Sequence, residues 1–215
     1  LNPDLVRPDW QDAVPRATGP LWLDKNENPD PKLRAFIGEI FRNLDPIALS
    51  TYPECGELYR KLARTLELSP EHVILTPGSD GAIRLTFEAF VYEGDTVVHT
   101  DPTFAMYSVY CRMFGVKVES LGYERGSSGP GLPGDRILSE LDRIRPKLFC
   151  LPNPDSPTGS VIPPQELLEI VRLCSRLGTL ILIDEAYYPF YDWTCVPWTR
   201  EYRNLIVART FAKAW

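Results

Sequence analysis

The sequence predicts an α/β protein with a mostly parallel sheet sandwiched by helices. From residue 73 onward, short apolar runs of strand length alternate with longer stretches of helical spacing, the pattern of parallel strands joined by crossover helices. Polar turn-forming residues follow several of these runs directly, as expected at strand ends. The chain has 215 residues, 44% of them hydrophobic and 24% charged, which is ordinary for a globular protein.

The predicted elements follow one another in a regular order. An irregular N-terminal arm rich in Pro, Asp and Asn precedes two amphipathic helices, whose apolar residues run from Leu33 to Leu44 and from Leu58 to Leu68. The predicted strands cover residues 73–75, 96–100, 116–121, 147–151, 179–183 and 205–208. The predicted helices among them cover residues 80–92, 104–114 and 164–177, and the glycine-rich stretch 122–135 is predicted to be a loop or a surface excursion.

Charge and hydropathy restrict the class of partner. The net charge is -6 and the pI is about 5.1, with no block of Lys or Arg, which argues against nucleic acid and anionic membrane as partners. No apolar run approaches the length needed to span a bilayer, and the first residues do not resemble a signal segment. We therefore expect a cytoplasmic protein with small-molecule partners.

Cysteine and histidine usage bounds the chemistry further. The five cysteines are odd in number, scattered and mostly flanked by apolar residues, so free buried thiols in a reducing compartment are expected. His72 and His99 are the two histidines, and no Cys-x-x-Cys occurs, so no metal site is predicted.

A glycine-flanked turn opens the predicted helix at residue 80. In Gly78-Ser79-Asp80, free backbone N–H groups and the positive end of the helix dipole would converge on one point, which suits a phosphate. An ordinary strand-to-helix turn capped by Ser79 or Asp80 is the alternative.

An acidic residue ends the predicted strand 179–183. Asp184 would point into the crevice where parallel sheets bind ligands, and a carboxylate there can keep a pyridine nitrogen protonated. Tyr187 could donate to an oxygen on the same ring. The alternatives are helix capping by Asp184 and core packing by Tyr187.

Three further strand ends carry candidate residues. Phe104 could stack on a flat ring, although a core position is the plainer explanation. The loop from Asn153 to Gly159 is rich in turn formers and predicted to be rigid and polar. Lys213 follows the run 205–208, a suitable place for a Schiff-base lysine, whereas most lysines are exposed and have no such role.

Seven motifs resemble, in order and spacing, the class I and II aminotransferases of pyridoxal-phosphate (PLP) fold type I. The resemblance is nearest to the histidinol-phosphate aminotransferase-like branch, and it extends from about residue 24 to the last residue. The motifs are Asn26-Glu27-Asn28-Pro29, Tyr52-Pro53, Gly78-Ser79-Asp80, Pro102-Thr103-Phe104, Pro157-Thr158-Gly159, Asp184-Glu185-Ala186-Tyr187 and Thr210-Phe211-Ala212-Lys213.

The resemblance implies a role for each candidate around the cofactor ring. Lys213 would form the internal aldimine with PLP and then move the proton between the substrate and the cofactor. Asp184 would pair with the pyridine nitrogen, Tyr187 would donate to the ring oxygen, and Phe104 would stack on the ring face.

The resemblance also implies contacts to the phosphate and the substrate. Backbone N–H groups in the Gly78-Ser79-Asp80 turn and the Thr210 hydroxyl would bind the phosphate. Tyr52 would reach the phosphate of a neighbouring subunit, which implies a homodimer, and the Asn26-Glu27-Asn28 turn would border the substrate pocket.

Two positions depart from the family pattern. Ser156 stands where the family usually has an Asn that donates to the ring oxygen, so Asn153 or a water molecule is a candidate replacement. Ala212 stands where serine is common, which removes one possible phosphate donor.

The resemblance implies transfer of an amino group between an amino acid, or an amino-alcohol phosphate, and a 2-oxo acid. Decarboxylation or elimination on the same scaffold is an alternative, and a non-catalytic truncated homologue is another. Residues 1–50 are predicted to be an N-terminal arm with the first helix, and residues 51–215 a large PLP-binding domain. A C-terminal small domain is expected beyond residue 215.

Overall fold

The computed structural model describes residues 26, 28, 30–127 and 129–213. These residues form two compact units. One runs from Thr76 to Thr210, and the other comprises the described residues up to Leu75 together with those from Phe211 onward. The predicted boundary near residue 50 stays a prediction.

A five-stranded, entirely parallel sheet forms the centre of the 76–210 unit, and it confirms the predicted fold class. The strands are β1 (Thr96–Asp101), β2 (Lys117–Gly122), β5 (Leu148–Pro152), β6 (Leu180–Asp184) and β7 (Leu205–Ala208). Their order in the sheet is β2-β1-β5-β6-β7. Strands β3 (Glu124–Gly126) and β4 (Gly129–Gly131) form a separate antiparallel pair.

Helices cover both faces of this sheet, because successive strand side chains point to opposite sides. Four of these helices are α3 (Gly78–Phe90), α4 (Met106–Met113), α5 (Gly134–Ile144) and α6 (Pro164–Leu177). In the fully buried β5, Leu148 and Cys150 pack with α3 and α4, whereas Phe149 and Leu151 pack with α5 and α6. A strand buried on both faces reads as a continuous apolar run, which is why β5 was predictable.

The second unit contains the two predicted amphipathic helices, α1 (Pro31–Arg42) and α2 (Gly56–Thr65). Asp30 caps α1 by accepting a hydrogen bond from the Lys32 backbone N–H at 2.8 Å, and Pro31 occupies the first turn, where no N–H is needed. Short 3-10 turns lie at Pro46–Leu49 and Pro70–His72.

Two predicted elements were wrong. Residues 73–75 form no strand, because the 3-10 turn before them and Pro77 after them leave too few residues for a strand. Ile74 is 70% exposed, and the Leu75 N–H donates to the Tyr59 hydroxyl instead of to a neighbouring strand. The stretch 122–135 is not one loop, since it contains β3, β4 and the start of α5. Helix α5 could have been recognised from Ile137, Leu141 and Ile144, which recur at helical spacing.

All five cysteines are free thiols, and four of them are buried, as predicted. Within the described residues, no helix is long and apolar enough to cross a membrane. Among the same residues, no group of three or more His, Cys, Asp or Glu side chains has an arrangement that could bind a metal ion.

Candidate active site

The candidate residues of the 76–210 unit gather beyond the carboxyl ends of four adjacent strands. β1 leads towards Phe104, β5 into Asn153, and β7 towards Thr210, while Asp184 is the last residue of β6. Because the strands are parallel, these ends lie at one edge of the sheet, where α/β folds bind ligands.

Asp184 is a buried carboxylate with two hydrogen bonds. Its Oδ2 accepts from the Tyr107 hydroxyl at 3.0 Å, and its Oδ1 accepts from the Ala186 backbone N–H at 2.9 Å. Burial raises the pKa of Asp184 to about 6, although these two donors lower it in part. A cation placed beside Asp184 would favour its charged form, so the group is suited to pairing with a protonated ring nitrogen.

Tyr107, in α4, is a site residue that the sequence did not reveal. Burial raises the pKa of its phenol well above the usual range, so it stays a neutral donor to Asp184. Its ring also meets the Phe104 ring edge to face, with 6.3 Å between centroids. One indication was present in the sequence. Tyr107 follows Phe104 by three residues, and residues three apart in a helix lie next to each other on its surface.

The turn that opens α3 lies beside Thr210. Gly78 has φ +71°, and a Cβ built there would stand 3.6 Å from Thr210 Oγ1. The preceding Pro77 has no side-chain acceptor for the first turn. The Gly78 N–H donates to a backbone carbonyl two residues earlier at 2.7 Å. The N–H groups of Ser79 and Asp80, for which an α-helix supplies no acceptor, form with the Thr210 hydroxyl a donor set suited to a phosphate.

Asp80 is held by a second tyrosine of α4. The Tyr110 hydroxyl donates to Asp80 Oδ1 at 2.9 Å, and burial together with this carboxylate raises the pKa of Tyr110 to about 12. Helix α4 therefore supports both the acid at the end of β6, through Tyr107, and the first turn of α3, through Tyr110.

The loop after β5 brings Ser156 next to Tyr187. The Tyr187 hydroxyl donates to Ser156 Oγ at 3.3 Å. Asn153 is buried, and its amide bonds to both the N–H and the carbonyl of Ile162, at 2.8 and 3.4 Å. The buried Asp155 fixes the same loop by accepting from the N–H and the hydroxyl of Thr158, at 3.1 and 2.6 Å.

The remaining candidates belong to the other unit or lie outside the described residues. Lys213 is half-buried, and Tyr52 is 97% exposed. Asn26 is exposed with φ 53°, and Asn28 Oδ1 accepts from the Asp30 N–H at 3.1 Å. Glu27 lies outside the described residues.

The donor set of the 76–210 unit fits a phosphorylated pyridine. One buried carboxylate suits a protonated ring nitrogen, Phe104 supplies an aromatic face, and a pair of hydroxyls suits a ring oxygen. The uncapped helix start with the Thr210 hydroxyl suits the phosphate.

Comparisons with known proteins agree with this description. Over 198 residues the chain is 34% identical to histidinol-phosphate aminotransferase of Caldanaerobacter subterraneus subsp. tengcongensis, which covers 90% of this chain and 54% of that protein. The chain thus spans about half the length of this relative.

Solved structures show the same fold. Histidinol-phosphate aminotransferase of Sinorhizobium meliloti, in complex with pyridoxal-5'-phosphate, superposes with a TM-score of 0.72 at 25% identity, covering 88% of this chain and 51% of that one. L-threonine-O-3-phosphate decarboxylase of Porphyromonas gingivalis shares the fold with a TM-score of 0.68 at 22% identity, covering 84% and 54%. The family model for aminotransferase class I and II matches residues 18–215, and the chain belongs to this family.

Proposed function

We propose that this chain is the large part of a PLP-dependent aminotransferase, which moves an amino group between an amino acid, or an amino-alcohol phosphate, and a 2-oxo acid. The observation that carries the proposal is the buried Asp184 carboxylate at the carboxyl edge of a parallel sheet, in a chain of the aminotransferase family. The likeness to histidinol-phosphate aminotransferases favours an amino-alcohol phosphate as the amino donor.

PLP, when bound, supplies an electron sink for the bonds of the substrate α-carbon. Asp184 would hold a proton on the ring nitrogen and Phe104 would pack on the ring face. Tyr187 and Ser156 would donate to the ring oxygen, a role that their 3.3 Å contact supports. The first turn of α3, with Thr210, would bind the phosphate.

Lys213 would hold the cofactor covalently through its ε-amino group and act as the base that moves the substrate proton. This role comes from the family motif Thr210-Phe211-Ala212-Lys213.

A homodimer is the proposed assembly. The apolar side chains Phe36, Ile40 and Phe41 of α1 are exposed, as is Tyr52. An apolar helix face of this kind is typical of a surface that another chain covers. In the dimer, Tyr52 would reach the phosphate of the partner's cofactor, and the Asn26-Glu27-Asn28 turn would border the substrate pocket.

The cytoplasm is the proposed compartment, supported by the five free thiols. Residues 1–50 are proposed as the arm with the first helix, and residues 51–215 as part of the large PLP-binding domain.

The test adds PLP to the full-length protein. We expect a visible absorption band that borohydride converts into a stable adduct, and peptide mass spectrometry should locate the adduct on Lys213. An adduct on Lys25, Lys32, Lys61, Lys117 or Lys147 would contradict the lysine assignment, and absence of any adduct would contradict the cofactor. Formation of a keto acid from the amino donor supports transamination, whereas release of carbon dioxide would support the decarboxylase alternative.

A further inference from the structure

An ion pair between a buried carboxylate and a half-buried guanidinium lies one residue beyond the paired ends of β6 and β7. Asp184 is the register partner of Ala208, and the next residues are Glu185 and Arg209. Arg209 Nε donates to Glu185 Oε2 at 3.0 Å, and Nη2 lies 2.9 Å from the same oxygen as an ion-pair contact without hydrogen-bond alignment. The Glu185 N–H also bonds to the Ala208 carbonyl at 2.8 Å.

Both charged groups are fixed by several contacts. The Glu185 side chain is 2% exposed, and its Oε1 accepts from the Cys195 backbone N–H at 2.8 Å. The Thr194 hydroxyl donates to Oε2, also at 2.8 Å. The Arg209 guanidinium lies 3.7 Å above the centre of the Tyr188 ring.

Such a pair adds little net stability, because the cost of removing two charges from water offsets most of their attraction. Its physical effect is geometric, since it joins the ends of two strands. Asp184 immediately precedes Glu185 and Thr210 immediately follows Arg209, so each proposed cofactor contact is one peptide bond from the pair.

We propose that Glu185 and Arg209 are a positioning pair that sets the spacing between Asp184 and Thr210, so that one rigid pyridine phosphate can reach both. This inference rests on the proposed function. Neither residue touches the cofactor in this proposal; each acts through its neighbour.

The experiment compares Glu185→Gln, Arg209→Met and the double variant in the full-length protein. The double variant removes both charges, so it leaves no unpaired buried charge and should keep its melting temperature near that of the parent. The matched control is Glu88→Gln, which removes the same charge from the exposed Arg84–Glu88 pair, whose ions are 2.8 Å apart.

Two measurements separate positioning from a purely structural role. Amide hydrogen exchange of the protein without cofactor should speed up in residues 184–187 and 207–210 of the double variant. The PLP dissociation constant should rise by about tenfold to a hundredfold, the range for residues that support a bound group indirectly. Glu88→Gln should change neither quantity.

A double variant with the parent's exchange rates and PLP dissociation constant would overturn the proposal. If the double variant does not fold, Arg209→Lys, which keeps the charge, should show the same rise in dissociation constant at a near-parental melting temperature, and an unchanged constant would again overturn it. If parent and control bind no PLP, the proposed function fails, and the exchange rates still decide whether the pair fixes the two strand ends.

Discussion

The Tyr107 hydroxyl donates to Asp184 across 3.0 Å, from a ring that is fully buried between His99 and Phe104. The contact joins α4 to the end of β6. Through Tyr107, Asp184, which would pair with the pyridine nitrogen of PLP, is linked to Phe104, which would stack on the pyridine ring.

Tyr107→Phe is expected to lower kcat/KM by about ten- to a hundredfold, because a hydrogen bond to a charged group contributes about 1.5–3 kcal/mol. Loss of this donor also raises the pKa of Asp184, so the acidic limb of the kcat/KM profile should move to higher pH. Tyr110→Phe, which acts on Asp80, should leave that limb in place. If the acidic limb of the Tyr107→Phe profile does not move, Tyr107 contributes to core packing and does not affect the ionisation of Asp184.

Asp184→Asn is expected to stabilise the cofactor-free protein at neutral pH. The pKa of Asp184 is about 6 in the folded protein against an ordinary value of 3.8, so the folded state binds the extra proton between these pH values. Parental stability should therefore fall by about 2 kcal/mol as the pH rises from 4 to 7, and Asp184→Asn should lack this contribution to the pH dependence.

Urea unfolding at pH 4, 5, 6 and 7 checks this expectation, with exposed Asp142→Asn as the control. The stability difference between Asp184→Asn and the parent should grow with pH, and by more than the difference between the control and the parent. A flat difference for Asp184→Asn contradicts the raised pKa.

Gly78→Ala is expected to weaken PLP binding, because an alanine at φ +71° is strained by about 1–2 kcal/mol and its added methyl group lies 3.6 Å from Thr210 Oγ1, in van der Waals contact with a proposed phosphate donor. Gly94→Ala is the matched control, since Gly94 has φ +86° and nothing lies within 4 Å of an added Cβ. Both variants should lose melting temperature, and only Gly78→Ala should raise the PLP dissociation constant. If both variants bind PLP with the same dissociation constant, Gly78 is not part of the phosphate site.

Tyr52→Phe is expected to weaken PLP binding by about 1.5–3 kcal/mol without changing the dimer, because one phenol donor to a charged phosphate is lost. Cofactor titration and light scattering measure the two quantities. Full activity of monomers at nanomolar dilution would show that each site is complete within one chain.

The sequence predicted those parts of the site that depend on local patterns. Asp184 and Thr210 each stand at the end of an apolar run, and an apolar run of four or more residues marks a buried strand well. Residues 73–75 were mistaken for a strand because a run of three carries too little pattern to outweigh its flanking prolines.

The supporting contacts were not predictable from one sequence. Tyr107 reaches Asp184, and Glu185 reaches Arg209, only after β1, β6 and β7 have taken their places in the sheet. Taken singly, Tyr107 fits a core or a surface position, and Glu185 and Arg209 would be expected at the surface, so no local pattern indicates their roles.

The approach of Gly78 to Thr210 has a consequence for how the 76–210 unit acquires its ligand. These two residues lie near the first and last positions of the unit, so the phosphate-shaped donor set is complete only when the last strand has docked. Contacts between such distant residues form late and slowly. Phosphate binding, measured during refolding, would thus report when the last strand docks onto the sheet. A ligand that contacts both Gly78 and Thr210 would shift the folding equilibrium towards the folded state.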